Sequence, residues 1–302
     1  MLTPSPSKLR VGLIQTRTPA RQSGALAELD PLVRRAAAQG ATFVLTPEGS
    51  NVLEQRRDRR EAVIVDQDED SVVLGLRSLA EELGIWILIG SAIVKSGQDA
   101  DTRAANRSLL VDPTGAIVSA YDKMHVFDVS LPNGEQYRES ATIRPGEAAV
   151  VAQTPWGGLG LTICYDVRFA YLHRRLAQAG ASLIAVPAAF TVPTGEAHWE
   201  VLLRARAIET GAFILAPAQG GLHEDGRRTW GHSIVVNPWG EVIARLDHDE
   251  PAVLMADLDL EAVARARGSI PALTHDRVLS GTNLLGANLL ESDPVTVRSR
   301  EI

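Results

Sequence analysis

The segment RRAAAQGATFVLTPEG, beginning at Arg34, returns in altered form as RRLAQAGASLIAVPAA, beginning at Arg174. With the arginine pairs aligned, Gly40 falls on Gly180 and Pro47 on Pro187. Each segment reads as a helix end, a Gly-Ala junction, a short apolar strand and a proline. A second echo joins SLLVDPTGAIVSA from Ser108 to SIVVNPWGEVIAR from Ser233. The Asp-Pro-x-Gly and Asn-Pro-x-Gly centres are turn chemistry between two strands. Helix–Gly–strand–Pro is common α/β grammar, so a single match would carry little. Two matches in the same order point to two pseudo-repeated halves.

Runs such as IWILIGSAIV and SLIAVP are continuously apolar, as in strands covered on both faces. Helical stretches fall between the runs at about 25–40, 71–83, 168–180 and 197–210. The pattern is α/β. Its economical packing is a four-layer α-β-β-α sandwich, two sheets face to face with helices outside, in a single domain over 1–280. The tail 281–302 mixes apolar pairs with turn residues; packing on a partner subunit and disorder both stay open.

A net charge of −7 argues against a broad nucleic-acid-binding face. The run EQRRDRR at 54–60 contains acids and no aromatics and reads as solvated surface. The start has no long apolar core of a signal peptide, and no stretch reaches membrane-spanning length. One cysteine makes neither an internal disulfide nor a multi-thiolate metal site. A cytoplasmic protein with no membrane partner, no metal and no cofactor is expected. HWE at 198–200 lacks the paired cysteines of a zinc deaminase. GGLGLT at 157–162 opens a strand rather than a helix, unlike a dinucleotide loop.

The repeat isolates one difference: Glu48 stands where the second half has Ala188. Packing asks for a small residue there, and ligands of open α/β sheets sit beyond the carboxyl ends of strands. Cys164, in GLTICYDVRF, also lies at a strand's carboxyl end, with a helix beginning at about Phe169. It is either a small core hydrophobe or a nucleophile whose thiolate is favoured by the N–H groups of the helix start. The N–H of Tyr165 would then hold an oxyanion. No histidine adjoins a protease-like signature, and the one in GHS opens an apolar strand. Glu48 serves as base if its cavity raises the carboxyl toward neutrality. Lys123, in YDKMHVFD, precedes a long irregular stretch. It is a surface lysine unless it stands beside the thiol and carboxylate, where its ammonium would stabilise thiolate and oxyanion. Glu139 would hold that lysine or the substrate. Arg168 either clamps a carboxylate of the substrate or pairs with Asp166.

Glu48 in TPEGS, Lys123 in YDKMH and Cys164 in GLTICYDVRF resemble, in order and spacing, the Glu-Lys-Cys triad of the nitrilase superfamily. The resemblance runs from Leu9 to about Val278 and includes FDVSLPNGEQYRES, GEAHWEVLLRARAIET and WGHSIVVNPWGEV. It is nearest the amidase branch of deaminated-glutathione amidases and omega-amidases. The segment APAQGGLHEDGRRTWGHS favours the former. The resemblance implies the four-layer sandwich, pairing into homodimers or higher homo-oligomers, and hydrolysis of a terminal amide without metal or cofactor. It implies Glu48 as general base, Cys164 as nucleophile, Lys123 as stabiliser of the tetrahedral intermediate, and Glu139 as its support. Tyr137, Phe190, Thr191 and His232 fall in segments that line the family's substrate pocket. A binding protein that keeps the fold without turnover is the reading from another class.

Overall fold

The computed structural model describes residues 6–97, 101–131 and 134–277; the expected tail at 281–302 lies outside them. The first half runs β1 (Lys8–Gln15), α1 (Gln22–Ala38), β2 (Phe43–Leu45), a short α2 (Arg57–Glu61), α3 (Ser71–Leu83) and β3 (Trp86–Lys95). It ends in a hairpin of β4 (Ala104–Val111) and β5 (Ile117–Asp122). A ribbon of β6 (Asp128–Ser130) and β7 (Gln136–Arg138) leads to β8 (Val150–Thr154). The second half follows as β9 (Gly157–Leu161), α4 (Ala170–Gln178), β10 (Ala181–Ala185), α5 (Val192–Thr210) and β11 (Phe213–Ala216). A ribbon of β12 (Gly220–Leu222) and β13 (Arg228–Trp230) precedes its hairpin, β14 (Ile234–Val236) and β15 (Val242–Arg245). Then β16 (Ala252–Asp259) and α6 (Glu261–Ser269) close the chain's described part.

Two six-stranded sheets result, ordered β16-β1-β2-β3-β4-β5 and β15-β14-β11-β10-β9-β8. Each has three parallel strands, β1–β2–β3 or β9–β10–β11, continued by its antiparallel hairpin. An antiparallel strand closes each sheet on the other side: β16 beside β1, and β8 beside β9. The duplication read from the sequence is therefore present in the topology. Its two turns match bond for bond, the Asp112 N–H donating to the Ala116 carbonyl and the Asn237 N–H to the Glu241 carbonyl, both at 2.9 Å. Gly115 and Gly240 take the left-handed conformation that these turns require, at φ 77° and 86°.

Side chains alternate across each strand and so sort into layers. In the first sheet Val11, Leu13, Phe43, Leu45 and Leu88 meet the second sheet, whereas Ile14, Val44, Ile87 and Ile89 meet α1 and α3. Leu172 and Leu176 of α4 and Leu203 and Ala207 of α5 cover the second sheet. The architecture is the four-layer α-β-β-α sandwich. α3 occupies 71–83 as expected; α5 begins five residues earlier, because Pro193 in its first turn gives up no helix hydrogen bond there. α4 begins at Ala170, since 164–168 forms a separate 3-10 turn. Among the described residues no helix is long and apolar enough to cross a membrane.

Candidate active site

Glu48, Lys123, Glu139 and Cys164 converge on a cavity of about 380 Å³. Glu48 follows β2, Lys123 follows β5, Glu139 begins a 3-10 turn after β7, and Cys164 lies three residues past β9. Lys123 is only 2% exposed, so the surface reading of this lysine fails. Its Nζ lies 2.8 Å from Glu48 Oε1 and 3.1 and 2.9 Å from the two oxygens of Glu139. Each carboxylate has further donors. The Ala189 N–H reaches Glu48 Oε2 at 3.0 Å, and the Phe127 N–H reaches Glu139 Oε2 at 2.6 Å. Asn106 Nδ2 bridges both carboxylates, at 2.9 Å from Glu48 and 3.4 Å from Glu139. The thiol of Cys164 faces Glu48 as a hydrogen-bond partner and is 8% exposed.

These contacts fix the resting charges. Burial pushes the Glu48 carboxyl up, but the Lys123 charge and hydrogen bonds from Cys164, Lys123 and Asn106 outweigh it, leaving the group below the usual carboxylate range. Burial works against the Lys123 ammonium, yet Glu139 and Glu48 hold it well above the usual lysine range. Burial and the Glu48 charge push the Cys164 thiol well above its usual range, with Lys123 opposing. The site at rest is thus thiol, ammonium and carboxylates. Two expectations reverse: the thiol is not a resting thiolate, and Glu48 is not raised toward neutrality. Burial is the larger reason for the first, with the Glu48 charge adding to it, and the Lys123 charge is the main reason for the second.

Cys164 opens its 3-10 turn at φ 49°, a left-handed conformation rare for a side-chain-bearing residue. Its own N–H is spent on the Pro187 carbonyl at 2.9 Å. The Tyr165 N–H makes no hydrogen bond among the described residues and stays available. The turn is held by Asp166, fully buried, whose carboxylate accepts from the Ile163 N–H at 2.8 Å and the Tyr121 hydroxyl at 2.7 Å. It also accepts from the His125 N–H at 3.1 Å and meets the His125 ring at 2.6 Å. One carboxylate thereby ties the cysteine turn to the segment carrying Lys123.

Arg168 does not pair with Asp166, whose oxygens are taken. Its guanidinium lies over the Phe190 ring at 5.3 Å and the Tyr165 ring at 5.9 Å and meets His198 at 3.2 Å. Arg168, Tyr137, Phe190 and Thr191 line the cavity. His232 does not. Its ring stacks on Trp230 and bonds the Trp230 carbonyl at 2.6 Å, and its backbone at φ 56° turns it away from the cavity. The run at 54–60 is largely the solvated face expected, with Gln55, Arg56, Arg57, Asp58 and Arg59 exposed; Glu54 is buried and Arg60 half-buried, and Glu54, Gln55, Arg57 and Arg60 border the cavity. The Gln55 N–H donates to Asp225 in the β12–β13 loop at 3.0 Å. Sequence reasoning passed over Asn106 and Ala189, and considered Asp166 only as a partner for Arg168. Only Asp166 carried a signal, as the acid two residues past the cysteine. Among the described residues no cluster of three or more His, Cys, Asp or Glu side chains is arranged to hold a metal ion.

Residues 10–268 match the family described as Carbon-nitrogen hydrolase. The chain belongs to the carbon-nitrogen hydrolase family. It is 39% identical over 272 residues to the deaminated glutathione amidase of Yersinia enterocolitica, covering 89% of this chain and 93% of that protein. It is also 39% identical to the Mus musculus protein of the same name, over 87% and 81% of the two chains. Among solved structures, the Caenorhabditis elegans NitFhit protein superposes with a TM-score of 0.81 at 31% identity, covering 90% of this chain and 66% of that one. An amidase from Nesterenkonia sp. AN1 superposes at 0.72 with 27% identity, covering 89% and 97%. Its structure shows covalent addition of the acetamide moiety of fluoroacetamide at the active-site cysteine. The protein is a hydrolase of the nitrilase superfamily acting on amides.

Proposed function

We propose that this enzyme hydrolyses a linear amide of a small carboxylate-bearing substrate, with deaminated glutathione the preferred one. The observation that carries the reading is the closed set of contacts among Glu48, Lys123 and Glu139 beside the Cys164 thiol, all facing one cavity. As sulfur adds to the amide carbon, the thiol proton passes to Glu48. The oxyanion is met by Lys123 and the Tyr165 N–H. The amine then leaves with the proton from Glu48, as cysteinylglycine from deaminated glutathione or as ammonia from a carboxamide, and a thioester remains. Water adds to the thioester, giving its proton to Glu48; the acid product leaves and the thiol re-forms. The negative charge that leaves Glu48 reappears on the oxyanion beside Lys123, so the buried ammonium stays paired throughout. That is why a thiol held above its usual range is compatible with attack: no free thiolate need form.

Arg168 supports an anionic substrate, since it faces the cavity over two aromatic rings and no carboxylate pairs with it among the described residues. We further propose a cytoplasmic homodimer. Support for the pairing comes from Val201 and Ile208 on the outer face of α5 and the nearby Trp239, which are 69%, 58% and 56% exposed. The test is amide hydrolysis, read as 2-oxoglutarate formed from deaminated glutathione and 2-oxoglutaramate and as ammonia released from simple aliphatic amides, carbamoyl amino acids and a nitrile. Deaminated glutathione should give the highest kcat/KM, and Cys164→Ala should remove nearly all turnover with the fold intact. Retained turnover in Cys164→Ala refutes the thioester route. Preference for 2-oxoglutaramate would reassign the enzyme as an omega-amidase, and no hydrolysis of any of them would leave the binding-protein reading.

A further inference from the structure

Six cationic side chains line the cavity (Arg57, Arg60, Lys123, Arg138, Arg168 and Arg227) against three carboxylates, Glu48, Glu54 and Glu139. The chain as a whole carries a net charge of −7, so positive charge is concentrated where the ligand enters. Lys123 is consumed by Glu48 and Glu139. Arg60 and Arg227 have a different environment. Arg60, on α2, is half-buried and donates only to neutral oxygens, the Glu54 carbonyl at 3.4 Å and the Thr142 hydroxyl. Burial holds its guanidinium below the usual arginine range; Glu139 opposes that and the neighbouring Arg227 adds to it. Arg227, in the β12–β13 loop, has a buried Nε with no hydrogen-bond partner, and its nearest carboxylate is Asp225 at 3.9 Å. Asp225 is occupied by the N–H groups of Arg227 at 2.9 Å and Gln55 at 3.0 Å.

Two partly desolvated guanidinium groups that line one cavity and repel each other, with no carboxylate hydrogen-bonded to either guanidinium among the described residues and Asp225 in ion-pair range of Arg227 at 3.9 Å, are costly unless something anionic completes them. They arise from α2 and the β12–β13 loop, whereas Arg168 arises from the cysteine turn. Arg60, Arg227, Arg168 and the Cys164 thiol all line the same cavity.

We propose that Arg60 and Arg227 form a distal anion subsite, which binds a carboxylate at the end of the substrate remote from the scissile amide. This rests on the amidase reading above and goes beyond it in assigning the residues that select long, doubly anionic amides over short ones. A planar carboxylate takes paired N–H donors from guanidinium groups, and a neutral ester at the same place takes only one weak bond.

The experiment compares three substrates: deaminated glutathione, the same compound esterified at its far carboxylate, and 2-oxoglutaramate. The wild-type enzyme should favour the acid over its ester by roughly ten- to a hundredfold in kcat/KM, the size expected of charge-assisted hydrogen bonds. In Arg227→Gln that acid-to-ester ratio should collapse toward one, largely through KM, and Arg227→Lys should restore part of it. Arg60→Gln should lower the ratio in the same sense. A wild-type enzyme indifferent to esterification would overturn the subsite. So would an Arg227→Gln enzyme that loses activity equally on all three substrates with the ratio preserved, since that is a structural effect. Absence of hydrolysis of all three by the wild type would instead sink the amidase reading itself.

Discussion

Asn106→Leu separates the electrostatics of the site from its folding. Asn106 Nδ2 is, beside the Lys123 ammonium, the neutral side-chain donor that Glu48 and Glu139 share, at 2.9 and 3.4 Å. Its Oδ1 is buried and bonded to nothing, and its backbone carbonyl accepts from the Lys123 N–H at 2.9 Å. Leucine keeps the backbone bond and the approximate volume while removing the donor. It also removes an unsatisfied acceptor that costs about 1–3 kcal/mol where it stands, so the net stability change should be small. The catalytic change should not be small. A hydrogen bond to a charged group contributes about 1.5–3 kcal/mol, and the 2.9 Å bond to Glu48 is the stronger of the two. Losing it favours protonated Glu48 by roughly ten- to a hundredfold. The sign follows from Glu48 lying below the usual carboxylate range: its ionised form is present above that pKa and is lost as pH falls through it. The acid limb of kcat/KM must therefore move toward neutral pH in the variant, with a much smaller change on the alkaline side. The assay is hydrolysis of deaminated glutathione, read as 2-oxoglutarate formed, across acidic to mildly alkaline pH, with thermal unfolding of both proteins alongside. If the two acid limbs superimpose while the variant folds normally, Asn106 does not hold Glu48 ionised and the charge assignment of the site is wrong.

Glu48→Gln should uncouple two properties that ordinarily travel together. Turnover should vanish, yet alkylation of Cys164 by iodoacetamide at neutral pH should quicken, because burial, the largest push on the thiol, is unchanged while the Glu48 charge that adds to it is removed and Lys123 remains to pull it down. Alkylation slowing in step with turnover would show that Glu48 generates the thiolate instead. Tyr121→Phe deletes the hydroxyl that donates to Asp166 at 2.7 Å and accepts from the Met124 N–H at 3.2 Å. It should cost about 1.5–3 kcal/mol of stability and lower kcat more than it raises KM, as Lys123 loses its register with the cysteine turn. An unchanged kcat, measured together with the unfolding midpoint, would deny Tyr121 and Asp166 a positioning role.

Much of this site was legible because its key residues stand at strand ends, where local pattern and tertiary position coincide. Glu48 was exposed by comparison with Ala188, and Cys164 by the change from an apolar run to YDVR. Lys123 needed the family resemblance, since nothing local distinguishes a lysine that is 2% exposed from one in solvent. Asn106 was invisible because it follows two alanines at the start of an apolar strand. Its function depends on which face of β4 meets two distant carboxylates. Arg60 ends a run of charges that is otherwise exposed, and nothing local marks it as the half-buried member that borders the cavity. His232 shows the same limit, its segment near the pocket but its ring directed by a backbone at φ 56° onto Trp230.

The pseudo-repeat also explains how an asymmetric site is built from a symmetric frame. The two strand–proline units meet at β3, where a Cβ on Gly90 would stand 1.8 Å from the Thr46 carbonyl oxygen and 2.5 Å from Pro187 Cβ. Only glycine permits that approach. From this junction the first unit extends a side chain, Glu48, whereas the second offers backbone. The Pro187 carbonyl takes the Cys164 N–H at 2.9 Å, and the Ala189 N–H reaches Glu48 Oε2 at 3.0 Å. Ala188, the counterpart of Glu48, is fully buried. A carboxylate at 188 would crowd the strand that delivers these two bonds and add a negative charge beside Glu48. One copy of the unit had to supply the base, and the other had to stay small enough to aim it.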